Sequence, residues 1–342
     1  MDSLELCRKY KKTEFDYRVS NLEKLDGLVG INDEVICMGM TSELCKLLKR
    51  VETGLKSKID NSYRENIILD SHSSATIEGC RTTVESVIRC MRGKSPSRDD
   101  LMVLNIIKAQ KLYKDRETNS SRDITKIWKV ISSGVCENLD CQGSIFRKKM
   151  VYVGGSSRVV HTPEKPNKIA GKIGLLVNFI NNKSISNILK GIILHYYIEY
   201  IHTMCDGNGR LGRVLENIVI GKRYINVYKI PLASVINDSN EVCNIKGMRC
   251  LDISPFVEYM LICILEALGR SRVSLDENEK KLISIMKRRG YGSEITVKRD
   301  SCLLEMKENH TRSLLNKLVG YGFLSKVRVG NRNIYRLERY GE

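Results

Sequence analysis

The sequence predicts a mainly α-helical domain carrying one β-hairpin flap, followed by a small α+β domain. Three observations carry this. Only five prolines fall in 342 residues, so long stretches are free to be helical. Apolar residues recur at i, i+3, i+4 and i+7 through the first four-fifths of the chain. From Gly143 to Val160 that rhythm gives way to β-branched and aromatic residues running into Gly154-Gly155-Ser156-Ser157, which predicts a hairpin or extended flap.

Residues 1–60 are expected as a helical extension, with Leu44, Leu47, Leu48, Val51 and Leu55 as an apolar stripe. Residues 61–270 are expected as the main helical domain. Ile173, Leu176, Val177 and Ile180 mark one of its helices, and Leu189, Ile193, Tyr196, Tyr197 and Tyr200 another. A boundary falls near Ser271, where Gly269-Arg270-Ser271-Arg272-Val273-Ser274 separates two periodic regions. In residues 271–342, helices are expected at about Asp276–Arg288, Arg299–Met306 and Asn309–Val319. The strands Phe323–Val329 and Arg332–Leu337 follow, around a Gly330-Asn331 turn. Three helices and such a hairpin predict a winged helix-turn-helix.

With 42% hydrophobic residues the chain can bury a core in each domain, which excludes a disordered protein. The net charge of +17 implies an anionic partner: nucleic acid, nucleotide phosphates or an acidic protein. The segment from Arg272 onward holds 16 Lys and Arg against 9 Asp and Glu, a net +7. The longest apolar stretch, Met260–Leu265, is too short to cross a membrane. Twelve cysteines are scattered from Cys7 to Cys302 without C-x-x-C spacing, so reduced thiols and a cytoplasmic setting are expected.

Chemistry concentrates between Ile201 and Ile220. An apolar helix ends at His202, a Gly207-Asn208-Gly209 loop follows, and a second helix starts near Arg210. A loop feeding a helix N-terminus is an anion site, because unpaired N–H groups and the positive end of the dipole face the ligand. Gly207 and Gly209 let the backbone curl around a phosphate. Arg210 and Arg213 lie on one helical face, spaced to meet successive phosphates. Asp206 is a carboxylate at the loop entrance, as Mg²⁺ beside a polyphosphate requires. His202 is placed to take a proton from a hydroxyl near pH 7.

The string His-x-x-x-Asp-Gly-Asn-Gly-Arg-x-Gly-Arg, from His202 to Arg213, resembles the signature of Fic domain proteins, which transfer AMP from ATP to a hydroxyl side chain of a target protein. A chance match of eight fixed positions is on the order of 10⁻¹⁰ per starting position. The resemblance implies a Fic-type helical fold with His202 as base and Asp206 on Mg²⁺. Asn208 and Gly209 would help to hold phosphate oxygens, and Arg210 and Arg213 would bind the ATP polyphosphate. Glycine at position 209 differs from the Doc branch, which carries lysine there and moves a γ-phosphate. Thr203 and Met204 stand where the family usually has Pro and Phe, and Met supplies a comparable apolar body.

Upstream, Ser74, Glu78 and Gly79 resemble the family's inhibitory helix motif, Ser/Thr-x-x-x-Glu-Gly. Glu78 reaching Arg213 would occupy the group that the γ-phosphate needs. In residues alone the same pattern is a helix C-terminus with a glycine cap. Gly143 and Arg147 resemble the start of the family's flap, with Lys148, Lys149, Met150 and Val151 edging a groove for a target segment. The resemblance therefore implies an autoinhibited protein adenylyltransferase. Its partner would be a protein with a Ser, Thr or Tyr hydroxyl, including the chain itself, and hydrolytic removal of AMP is left open. The alternative is a DNA-binding transcriptional regulator with a nucleotide-sensing or degenerate Fic domain, contacting DNA through Arg312, Lys317, Lys326, Arg328 and Arg332. Winged helices also serve as docking modules, so a homodimer belongs to the same set of expectations.

Overall fold

The structure is a computed structural model. It describes residues 21–56, 63–113, 120–136, 146–155, 158–221, 242–245, 248–271, 277–289, 294–298, 301, 306–320, 324–329 and 332–337. The protein is mainly helical, with three small sheets. It separates into two compact units, one reaching Leu265 and the other starting at Glu266, so the divide falls inside a helix rather than at Ser271.

The first unit opens on strands where a helical extension was expected: β1 (Leu22–Val29) and β2 (Val35–Gly39), paired antiparallel. Strand β2 pairs in parallel with β6 (Met248–Asp252), and β5 (Val242–Ile245) completes the order β1-β2-β6-β5. A partner so distant in sequence leaves no trace in local periodicity, which is why these strands escape a reading based on spacing. They are not an appendage. The β1–β2 turn, with Asp33 at a φ of 61°, is held by the buried Lys172 ammonium, which donates to the Gly30 carbonyl at 2.5 Å and to Asp33 Oδ1 at 3.0 Å. Tyr197 donates its hydroxyl to the Val29 carbonyl at 2.9 Å.

The helices follow as α1 (Ser42–Lys56), α2 (Tyr63–Ile77), α3 (Val84–Met91), α4 (Arg98–Leu112) and α5 (Ser121–Ser132). After the flap strands β3 (Val153–Gly155) and β4 (Arg158–His161) come α6 (Pro166–Asn181), α7 (Asn187–Ile201), α8 (Asn208–Ile220) and α9 (Ser254–Ser271). Ser97, Ser120 and Ser186 cap α4, α5 and α7, and each accepts from an N–H in the first turn. The expected stripes point inward through Leu44, Val51 and Leu55 on α1 and Ile173, Leu176 and Ile180 on α6. Helix α7 goes further. It is buried nearly all round, so its apolar residues mark a central helix rather than one face. Two glycines bring α8 against it: a Cβ at Gly191 would lie 2.7 Å from Ile220 Cγ1, and one at Gly212 would lie 2.6 Å from His195 Cδ2.

The flap hairpin is shorter than expected and is confined to β3 and β4, while Lys148, Lys149 and Met150 precede it as exposed chain without strand pairing. Gly143, Ser144, Ile145, Ser156 and Ser157 lie outside the described residues. Cys37, Cys45, Cys80, Cys90, Cys136, Cys250 and Cys263 are free, but Cys205 is disulfide-bonded, against the expectation of reduced thiols throughout. Spacing along the chain carries no record of which sulfurs a fold brings together. No helix among the described residues is long and apolar enough to cross a membrane.

The second unit contains α10 (Glu277–Arg289), β7 (Glu294–Ile295), α11 (Glu308–Gly320), β8 (Leu324–Val329) and β9 (Arg332–Leu337). Its sheet has the order β7-β9-β8, one short strand more than expected. Two residues are too few to show a period. Leu282, Met286, Ile295, Leu314, Leu315, Leu318, Leu324 and Tyr335 form its core. Most of the helix expected at Arg299–Met306, and the Gly330-Asn331 turn, lie outside the described residues.

Candidate active site

Helix α7 ends at His202, whose φ of 52° places a non-glycine residue in the left-handed region. The buried Arg147 holds it there. Arg147 Nε donates to the His202 carbonyl at 2.6 Å, and the same guanidinium reaches the carbonyls of Lys149 at 2.8 Å, Ile201 at 3.4 Å and Glu164. Its backbone N–H donates to the Thr203 carbonyl at 3.1 Å. In sequence Arg147 is a flap-motif position; in the fold it clamps the chain leading into the flap to the histidine. Burial holds the His202 imidazole below its ordinary value of 6.5. It is therefore neutral near pH 7, as a base must be.

The loop after His202 is tied to itself. Thr203 and Met204 are fully buried, so Met204 does fill an apolar site. Asn208 Oδ1 accepts from the Met204 N–H at 2.8 Å and from the Thr203 hydroxyl at 3.3 Å, while its Nδ2 donates to the Met204 carbonyl at 2.9 Å. With its side chain so engaged, what Asn208 offers an anion is its backbone N–H at the start of α8. Trp128, the only tryptophan in the chain, donates Nε1–H to the Asp206 carbonyl at 2.8 Å. Gly207, at a φ of 78°, makes the turn into α8.

Two guanidinium groups stand on the first turns of α8. Arg210 is 2% exposed, and its NH2 reaches Asp206 Oδ1 at 3.3 Å and Cys136 Sγ at 3.8 Å. Its Nε and NH1 are buried with no hydrogen-bond partner among the described residues, a demand that an anion would meet. Burial pushes the neighbouring Cys136 thiol up to about 11, so it adds no negative charge. Arg213, 1% exposed, is gripped from α2 and the residue after it. Its Nε donates to Ser74 Oγ at 2.8 Å, and its NH2 donates to the Ser74 carbonyl at 3.1 Å and to Glu78 Oε1 at 2.5 Å. Gly209 makes room for this pair, because a Cβ there would collide with Glu78 Oε1 and lie 2.9 Å from Arg213 NH1.

Glu78 and Gly79 also end α2. The Gly79 N–H bonds to the Thr76 carbonyl at 2.9 Å and the Cys80 N–H to the Ala75 carbonyl at 3.2 Å, with Gly79 at a φ of 85°. Helix cap and ion pair, alternatives in sequence, coexist: the cap aims the carboxylate.

A family model described as the Fic/DOC family matches residues 119–220, from the approach to α5 through the end of α8. Over this stretch the chain is similar to a Fic domain. Over 125 residues it is 30% identical to the protein adenylyltransferase Fic of Drosophila erecta, a match covering 36% of this chain and 24% of that one. A probable protein adenylyltransferase of Aquifex aeolicus is 36% identical over 76 residues, which cover 22% of this chain and 23% of that protein. The chain thus spans about a quarter of the length of these curated relatives. Among solved structures, a Fic family protein from Desulfovibrio desulfuricans aligns with a TM-score of 0.57 at 20% identity, covering 89% of this chain and 98% of that one. A Fic domain containing signaling protein from Bacteroides thetaiotaomicron aligns with a TM-score of 0.50 at 16% identity, covering 67% and 96%. These likenesses show the fold.

The structure gathers His202, Asp206, Gly207, Asn208, Gly209, Arg210 and Arg213 at the N-terminus of α8, and Ser74 and Glu78 reach them from before the matched stretch. Lys148, Lys149 and Met150 are exposed and Val151 is partly so. Asp206, 47% exposed, offers one carboxylate beside the unpartnered Arg210 nitrogens. That fits Mg²⁺, which takes one or two carboxylates and completes its shell with phosphate and water oxygens. No group of three or more His, Cys, Asp or Glu among the described residues is arranged to hold a metal by protein alone.

The sequence reading gave no role to Glu199 or His195. Both are part of the site's support, as Glu199 Oε1 lies 3.3 Å from Arg213 NH1 and 2.9 Å from His195 Nε2. Their i, i+4 spacing was visible in the sequence, but that α8 faces them was not.

In the second unit Arg312, Arg328 and Arg332 are exposed and form no ion pair among the described residues. Lys317 pairs with Glu279 at 2.7 Å, and Lys326 donates to Asn316 Oδ1 at 3.1 Å over the Tyr335 ring.

Proposed function

We propose that the Fic domain is an autoinhibited protein adenylyltransferase that moves AMP from ATP onto a Ser, Thr or Tyr hydroxyl of a protein, including this chain. One observation carries the reading: two buried guanidinium groups share the start of one helix, one with partnerless nitrogens and the other held by a removable carboxylate. The target hydroxyl gives its proton to the neutral His202 imidazole as its oxygen attacks the α-phosphorus of ATP. The bond from phosphorus to the pyrophosphate oxygen breaks, and the leaving charge is met by Arg210, Arg213 and the first N–H groups of α8. Mg²⁺, when bound, would neutralise phosphate charge, and Asp206 is the residue to hold it. Lys148, Lys149, Met150 and Val151 would dock the extended target segment. Glu78 blocks productive seating of the γ-phosphate by occupying Arg213; in the reverse direction it is the carboxylate available to orient water for AMP removal.

The test is incubation with α-³²P-labelled ATP and Mg²⁺, comparing the native chain with Glu78→Gly and His202→Ala. Label on protein is expected to rise in Glu78→Gly and to vanish in Glu78→Gly/His202→Ala. No transfer by Glu78→Gly to itself or to any of a panel of candidate proteins would sink the reading.

The exposed, unpaired Arg312 on α11 with Arg328 and Arg332 on the β8–β9 hairpin favours a second activity, a winged helix binding duplex DNA through its phosphates. Lys317 and Lys326, engaged within the unit, would contribute less. A salt-sensitive complex that is lost in Arg312→Ala/Arg328→Ala/Arg332→Ala is the expected result. Absence of any complex at low salt refutes it.

A further inference from the structure

Four charged side chains on α7 and α8 form a continuous ladder. Glu216 Oε2 lies 2.6 Å from His195 Nδ1; His195 Nε2 lies 2.9 Å from Glu199 Oε1; and that same oxygen lies 3.3 Å from Arg213 NH1. Both ring nitrogens of His195 thus face carboxylates, although the ring is fully buried. Only the doubly protonated imidazolium can donate to both, and these two carboxylates hold its proton against the cost of burial. Glu199 is in turn held below its usual range, its largest favourable partner being His195. The ladder is electrically closed: two carboxylates alternate with an imidazolium and a guanidinium.

Glu78 is the fifth charge on this ladder and the one in excess. Its side chain is 32% exposed, against 1% for Glu216 and 19% for Glu199. It takes NH2 of Arg213, whereas Glu199 takes NH1. When Glu78 leaves, Glu199 and the uncharged Ser74 hydroxyl and carbonyl are among the groups that still hold the guanidinium. A lone buried arginine without a charged partner would be expensive to keep in place.

We propose that Glu199 is a positioning residue for nucleotide binding: backed by His195 and Glu216, it seats Arg213 by NH1 so that NH2 faces the terminal phosphate once Glu78 withdraws. The inference rests on the nucleotide-binding reading above. It assigns the two carboxylates on Arg213 opposite effects, because Glu78 competes with the phosphate while Glu199, already neutralised by His195, orients the group that binds it.

The opposite sign makes a direct test. Equilibrium binding of ATP and of AMP is measured on the full chain for Glu78→Gly, Glu78→Gly/Glu199→Gln and Glu78→Gly/Glu199→Ala. Relative to Glu78→Gly, the Kd for ATP is expected to weaken about tenfold with Ala and about threefold with Gln, which keeps the acceptor oxygen but not the charge. The Kd for AMP, which lacks the terminal phosphates, should stay within twofold. Loss of folding would weaken both ligands together, so the ATP-to-AMP ratio isolates positioning from general damage. A tighter ATP Kd in Glu78→Gly/Glu199→Ala, as a second competitor would give, overturns the proposal and leaves the nucleotide reading intact. An unchanged ratio overturns it likewise. Failure of Glu78→Gly itself to bind ATP sinks both.

Discussion

Replacing Glu78 by glutamine tests the proposed brake with the least change of shape. The contact it alters is a charge-assisted bond of 2.5 Å between Glu78 Oε1 and a guanidinium that is 1% exposed. The amide still accepts from a charged guanidinium but loses the acceptor's own charge; bonds to charged groups span about 1.5–3 kcal/mol, so moving from the top of that range toward the bottom loosens the hold on Arg213 by about 1–1.5 kcal/mol. A γ-phosphate that must displace this contact gains the difference, which is roughly a five- to twelvefold lower Kd for ATP. Relief of repulsion between the carboxylate and the phosphate acts in the same direction, so the figure is a lower bound. Screening is modest because the arginine is buried. Titration calorimetry with ATP and with AMP on the native chain and on Glu78→Gln reads the effect directly. An ATP affinity unchanged or weakened in Glu78→Gln would falsify competition at Arg213, whatever the transferase activity does.

Other perturbations have equally definite signs. His202 must be neutral to act, and burial lowers its value below 6.5, so kcat/KM for transfer should be flat above pH 6.5 and fall on the acid side; an inflection above 6.5 contradicts the assigned base. Buried Asp70, accepting from Gln110 at 3.2 Å and Asn217 at 2.8 Å, is raised by burial to about 7. Its folded value exceeds the unfolded one, so its contribution to stability is fully present below about pH 4 and is lost as pH rises through about 7. Asp70→Asn keeps an acceptor for both amides and should flatten that decline in chemical denaturation measured from pH 4 to 8. Gly212→Ala would press a methyl to 2.6 Å from His195 Cδ2, so it should destabilise by about 1–3 kcal/mol, read as a lower denaturation midpoint; a neutral result would show that α7 and α8 can part freely. Asn208→Ala removes both bonds that tie the loop at Met204, and ATP binding should weaken at least tenfold while helical content is kept, checked by calorimetry and circular dichroism.

The sequence by itself determined the parts whose chemistry is local. Apolar spacing marked α1, α6 and α7, because a helix shows its buried face within a few turns. The run from His202 to Arg213 announced an anion site, because a glycine loop, a helix start and two arginines one turn apart need no distant partner to be legible. Ser74 and Glu78 were one turn apart on paper and remain so in space. Tertiary structure alone decided what each group faces. Strand β2 is paired on its other side by β6, which arrives from far along the chain, and no local period records a parallel partner. Asn208, expected to help hold phosphate oxygens, has its side chain engaged with Met204. Whether Glu78 was a cap or a brake could not be read from spacing; Gly79 caps the helix and thereby turns the carboxylate onto Arg213. Glu199 and His195 looked like ordinary members of an apolar helix until α8 was laid across them. Sequence fixes which charges a chain owns, whereas pairing energy depends on separations of a few ångströms and on the exclusion of water. Both are set only when α7, α8 and the end of α2 close on one another.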